Sequence, residues 1–136
     1  METSVNNKCK AFTSLEQSKV LAEILPLDSA DYFYKYCIGH YNTIHYRLET
    51  YPYNKGANKN HDIPCWSLSA LLSVLPDEIT DNGDVYRNMF FHLKGKYIIQ
   101  YPRLTTLWPA LLSVETDNPI DTCADMIVKL KEQNLI

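Results

Sequence analysis

Several absences bound what this chain can be. No uncharged apolar run approaches the roughly 20 residues that a membrane span needs, so no membrane partner is expected. The N-terminal METSVNNKCK has no apolar segment behind its charges and does not read as a secretory signal. Glycine is scarce, with only Gly39, Gly56, Gly83 and Gly95, and none belongs to a phosphate-cradling loop; nucleotide hydrolysis therefore has no support. The four cysteines, Cys9, Cys37, Cys65 and Cys123, contain no C-x-x-C pair, and 136 residues bury enough surface to fold without a disulfide framework. They read as free thiols of a cytoplasmic protein. Length and a 46% hydrophobic fraction fit one domain over residues 1–136, with 1–12 as a poorly ordered N-terminal segment.

What is present is a repeated helical phrase. TSLEQSKVLAEILP at 13–26 and WSLSALLSVLP at 66–76 each write an L-x-x-(I/V)-L edge that stops at proline. Ser14 with Gln17, or Thr13 with Glu16, matches a capping box, and Ser67 can cap the second phrase. A third helix is signalled in DNPIDTCADMIVKLKEQNLI. There Asn118 suits the N-cap, Pro119 the first helical position, Asp121 the positive end of the dipole, and Lys129 and Lys131 the last turn. Ile120, Cys123, Ala124, Ile127 and Leu130 form its inner face.

Between the first two helices, DYFYKYCIGHYNTIHYRLETYPY is rich in Tyr and β-branched residues, breaks near 39–42, and reads as a hairpin. NKGANKNH reads as an exposed loop and EITDNGD as a turn. YRNMFFHLKGKYIIQYP reads as a second hairpin about Lys94, Gly95 and Lys96, and LWPALLSVET as a last strand. The expected fold is α+β: an antiparallel sheet of about five strands, three helices mainly on one face, and the order α-β-β-α-β-β-β-α. Leu21, Leu25, Leu71, Leu75, Ile127 and Leu130 are the expected core.

The phrases TSLEQSKVLAEILPLDSAD, DIPCWSLSALLSVLP and TDNPIDTCADMIVKLKEQNLI, in this order, resemble a family of small proteins carried by gut Bacteroidetes, their phages and mobile elements. The resemblance covers both ends and the middle helix. It implies a phage or mobile-element accessory protein acting inside a bacterial cell, and it carries over no activity and no functional residue.

Catalytic and metal chemistry are weakly signalled. Cys37-x-x-His40-x-x-x-x-His45, with His61 or His92, has zinc-ligand types, but Cys37 and His40 point to opposite faces of an extended strand. Nothing near them offers an oxyanion hole to a Cys–His pair. Asp77, Glu78, Asp81 and Asp84 lack the pattern of a calcium loop and read as a solvated turn. No cofactor, no metal and no enzymatic activity is expected.

Charge is unevenly distributed along the chain. Residues 32–61 hold Lys35, Arg47, Lys55 and Lys59 against Glu49. Residues 85–114 hold Arg87, Lys94, Lys96 and Arg103 against no acid, so the two stretches carry +7 and the remainder −10, for a total of −3. All ten tyrosines lie in the same stretches. The expected ligand-binding residues are accordingly Lys35, Tyr36, Arg47, Tyr53, Lys55, Arg87, Lys94 and Arg103. Tyr and Arg are enriched at binding hot spots, so the first reading is a non-catalytic interaction protein engaging a host protein through its Tyr-rich face and the 51–61 loop. A homo-oligomer is compatible with it. The alternative is a nucleotide or nucleic-acid binder, or a sequestering protein, that stacks bases on Tyr rings set among cations.

Overall fold

The computed structural model describes residues 10–136, which divide into two compact units, 11–74 and 75–136 with Lys10. Cys9 and most of the expected N-terminal segment lie outside the described residues.

In the first unit, α1 (Leu15–Ala22) opens on the Ser14–Gln17 capping box: Gln17 N–H donates to Ser14 Oγ and Ser14 N–H to Gln17 Oε1. Thr13 is fully buried instead of capping, and its backbone and hydroxyl are exchanged with Trp66. β1 (Tyr32–Ile38) and β2 (Ile44–Glu49) form the expected hairpin. A single turn, α2 (Tyr53–Gly56), precedes β3 (Ile63–Cys65), and α3 (Leu68–Val74) closes the unit. The sheet order is β2-β1-β3, all antiparallel. Pro64 is compatible with β3 because that strand lies at an edge, where a missing N–H breaks no ladder. Trp66, Phe33, Leu21 and Leu71 fill the core. Asp62, itself buried, accepts from the N–H groups of Tyr36 and Asn58 and ties the 57–62 loop to β1.

The second unit contains β4 (Glu78–Asp81), β5 (Asp84–Arg87), β6 (Met89–Leu93), β7 (Lys96–Pro102), β8 (Ala110–Thr116) and α4 (Pro119–Glu132). β4 and β5 form a two-stranded sheet, and β6-β7-β8 a three-stranded one. Asn82–Gly83 and Lys94–Gly95 both have positive φ at two successive residues, the geometry of the tight hairpin turns that join β4 to β5 and β6 to β7. α4 begins as the sequence predicts: Asn118 accepts from the N–H groups of Ile120 and Asp121, and Pro119 occupies the first turn. Its apolar face, with Ile120, Cys123, Ile127 and Leu130, is buried together with Ile99, Tyr101 and Val114. Lys10 pairs with Asp121 at 2.7 Å.

The α+β class and the antiparallel pairing agree with the sequence reading, but one five-stranded sheet does not form. Among the described residues, eight strands make three small sheets instead. EITDNGD is not a bare turn: its flanks pair from Glu78↔Arg87 to Asp81↔Asp84. The six expected core leucines and isoleucines are all buried, Leu21, Leu25 and Leu71 in the first unit and Leu75, Ile127 and Leu130 in the second. Cys37, Cys65 and Cys123 are free thiols. Among the described residues, no helix is long and apolar enough to cross a membrane.

Candidate functional site

The eight residues expected to bind ligand fall into two groups. Lys35, Tyr36, Arg47, Tyr53 and Lys55 belong to the first unit, and Arg87, Lys94 and Arg103 to the second. Strand alternation then sorts the first group. Directly opposed residues share a face, so Lys35 lies beside Arg47 and Cys37 beside His45 on the face that also carries Phe33. Tyr36 lies on the other face with Tyr34, Tyr46, Ile38 and Ile44. The Tyr36 ring meets Tyr46 edge-on at 5.9 Å and stacks on His61 at 5.1 Å. Tyr34 donates its hydroxyl to the Thr13 carbonyl at 2.7 Å, and burial, followed by the neighbouring Cys65, raises its pKa above the ordinary tyrosine value. Cations and tyrosine rings of this hairpin therefore occupy opposite faces.

Tyr53 is a correction. Only 3% of it is exposed, because its ring and that of Tyr51 pack edge-on against Phe33 at 6.4 and 5.5 Å. A Cβ at Gly56 would run into the Tyr51 ring, so the 51–56 turn packs closely on itself; Tyr53 is withdrawn into the core, while Tyr51 keeps half of its surface in solvent. Lys55 remains exposed on this turn.

Pairing also undoes the charge segregation read along the chain. Arg47 donates to Glu49 at 2.8 Å, Arg87 to Glu78 at 2.6 Å and Lys96 to Asp117 at 2.6 Å, and Arg103 lies 3.1 Å from Asp84. Three of those four acids come from segments outside the basic stretches. The register Glu78↔Arg87 brings the second pair directly together. Glu78 and Asp84, two of the four acids of the 77–84 segment, are thus partners of Arg87 and Arg103 and not merely parts of a solvated turn. Lys35, Lys55, Lys59 and Lys94 have no acid within ion-pair distance among the described residues.

The Cys–His candidates separate as well. Cys37 donates weakly to the Lys35 carbonyl at 3.5 Å, and no hydrogen bond joins it to His45 among the described residues. His40 lies in the hairpin tip. In the second unit His92 stacks on Tyr97 at 4.4 Å. No group of three or more His, Cys, Asp or Glu side chains among the described residues is placed to hold a metal ion. An open groove of about 450 Å³ between β8 and α4 is lined by Glu115, Asp125, Lys129 and Glu132. Burial, then Asp121, raises the Asp125 pKa, while Lys129 and Lys10 oppose the rise.

The feature that the sequence reading missed is the 103–109 segment. Trp66 is fully buried, whereas Trp108 is 73% exposed, Leu107 61% and Leu104 46%. The segment is held at both ends. Arg103 bridges to Tyr86, Leu104 N–H donates to the Val85 carbonyl at 2.8 Å, and Pro102 pairs with Ala110. Within it, Leu107 N–H donates to the Arg103 carbonyl at 2.8 Å and the Thr106 hydroxyl to the Trp108 carbonyl at 2.9 Å. The available signal was Leu-Trp-Pro directly after a strand, where a connecting loop would ordinarily be polar.

No protein-family model, no curated protein and no solved structure matches this chain.

Proposed function

We propose that this chain is a non-catalytic interaction protein that docks on another protein through the 103–109 loop. The exposure of Trp108 beside Leu107 carries this reading. Trp is the residue most enriched at binding hot spots, and large apolar side chains left together in water commonly mark a contact surface. The internal hydrogen bonds of the loop favour docking further, because a pre-ordered loop loses little conformational freedom when it binds. The partner is a protein of a bacterial host, in the phage or mobile-element setting that the sequence resemblance implies, and the chain works in the host cytoplasm.

Affinity capture from that host, run in parallel with the wild-type chain and with Trp108→Ala and Leu107→Ala variants, tests the reading. At least one host protein should be retained by the wild type and lost from both variants, while far-ultraviolet circular dichroism stays unchanged. Titrating the purified partner should also shift the emission of exposed Trp108 to shorter wavelength. Identical retention by all three proteins would overturn the proposal.

The charge pairing gives the nucleic-acid alternative no comparable support. Phosphate contact by Arg47, Arg87 or Arg103 would compete with a carboxylate already within 3.1 Å of each guanidinium.

A further inference from the structure

We infer that two copies of the chain associate by pairing their β2 strands antiparallel across a two-fold axis, joining two three-stranded sheets into one of six strands. The inference is independent of the 103–109 loop and rests on the edge of the first unit's sheet that no strand covers among the described residues. With the order β2-β1-β3, the two outer strands are β3 and β2. β3 has three residues, one of them Pro64. β2 has six residues, no proline and no lysine, and its six-pair register with β1 runs without a bulge. Proline, lysine and bulges are the usual devices that keep an edge from pairing, and β2 lacks all three.

Backbone hydrogen bonds show which groups of β2 point outward. Gly39 N–H donates to the Thr43 carbonyl at 2.7 Å, which sets the phase of the ladder, and Tyr36 N–H is turned away from β2 toward Asp62. In an antiparallel pair, hydrogen-bonded and non-hydrogen-bonded positions alternate. Ile44, Tyr46 and Leu48, the partners of Ile38, Tyr36 and Tyr34, therefore direct their N–H and C=O groups to the open edge.

The side chains choose the occupant and the register. Arg47 and Glu49 are two residues apart and share a face. When Leu48 lies across from Leu48 of the second copy, the two β2 strands overlap over residues 47–49 and Arg47 of each chain faces Glu49 of the other, so the C-terminal end of β2 is its own electrostatic complement. Arg47 and Glu49 are already in contact at 2.8 Å within one chain, and pairing closes a ring of four alternating charges. The alternative register, with Tyr46 on the axis, overlaps residues 44–48 but sets His45 against Arg47 and loses this complementarity. A two-fold interface repeats each facing pair, so each favourable contact counts twice.

Sedimentation equilibrium of the full 15.7 kDa chain over a range of concentrations tests the inference. A reversible dimer is expected. Arg47→Glu or Glu49→Arg alone should weaken association about tenfold or more, since like charges then face each other twice. The double variant R47E/E49R should recover it, because exchange restores both the internal and the facing pairs. Copper-catalysed air oxidation of a Leu48→Cys variant should give a covalent dimer, since Cα atoms of a hydrogen-bonded pair lie about 5.5 Å apart, within disulfide reach. The mass of one chain at every concentration would overturn the inference, whether the edge is empty or reserved for a strand of another protein. So would a dimer insensitive to both single reversals, which would have to use another surface. If the Leu48→Cys variant does not fold, the charge exchange decides alone.

Discussion

Replacing Asn118 by Ala should destabilise the second unit by about 2 kcal/mol, and the reasoning can be followed atom by atom. The side-chain oxygen of this fully buried residue accepts from Ile120 N–H at 2.8 Å and from Asp121 N–H at 3.2 Å. Loss of a helix N-cap alone costs about 0.5–2 kcal/mol. A buried N–H left without an acceptor costs about 1–3 kcal/mol, a range that overlaps the first because it describes the same amides. Neighbouring bonds do not replace the cap: the Thr122 hydroxyl and N–H are directed to the Asn118 carbonyl, which the substitution keeps. Asn118→Asp is the control. It retains the acceptor and sets negative charge on the positive end of the helix dipole, worth about 0.3–1 kcal/mol, against the cost of burying a carboxylate beside Asp121. The aspartate variant should therefore lose less than the alanine variant. Urea unfolding followed by circular dichroism, with amide exchange at Ile120 and Asp121 as a local readout, measures both. A loss below about 0.5 kcal/mol for Asn118→Ala, or equal losses for the two variants, would refute the account.

Two further outcomes follow from local geometry. Gly83→Ala and Gly95→Ala should each cost about 1–2 kcal/mol in urea unfolding although a Cβ meets nothing within 4 Å, because the cost lies in the positive φ of 83° and 80°; Lys94→Asn, at φ 53°, should instead gain a few tenths of a kcal/mol. Burial pushes the Cys123 thiol up to about 12 from an ordinary value near 9, so in that interval the unfolded chain has released a proton that the folded chain keeps. Stability should fall as pH rises through the interval, by up to about 1.4 kcal/mol per pH unit from this group, and Cys123→Ala should remove that part of the slope in unfolding curves measured across it.

Legibility of the fold followed the strength of local signals. Asn118-Pro119 announces α4 because cap and first-turn preferences coincide there, and the Lys94–Gly95 turn was evident because two β-rich runs flank it. β4 and β5 escaped detection because four-residue strands around Asn82–Gly83 are too short for alternation to stand out from turn chemistry. β3 was hidden by Pro64, which argues against a strand unless the strand is known to lie at an edge. The capping box was ambiguous in sequence between Ser14 and Thr13. Tertiary structure decides it, since Thr13 is drawn into a buried exchange with Trp66 and Ser18. The exposure of Trp108 had only the position of Leu-Trp-Pro after a strand as its signal, because composition alone places a tryptophan in the core as readily as on a loop.

The site expectations diverged for a reason specific to sheets. A stretch such as Tyr34-Lys35-Tyr36 looks like a mixed aromatic and basic surface when read along the chain, but a strand sends neighbours to opposite faces. Register then brings in residues distant in sequence, and it supplies an acid to Arg87 from β4. Each such pair is exposed and of modest energy, yet together they reduce the unpaired basic residues of the two stretches to lysines. Lysine is a flexible point charge without arginine's planar fork, so it gives a phosphate little orientation. The interactions proposed for this chain therefore draw on groups whose position is fixed. Those are the backbone of an open strand edge and an apolar loop held by its own hydrogen bonds, and both are better matched to another polypeptide than to a nucleotide.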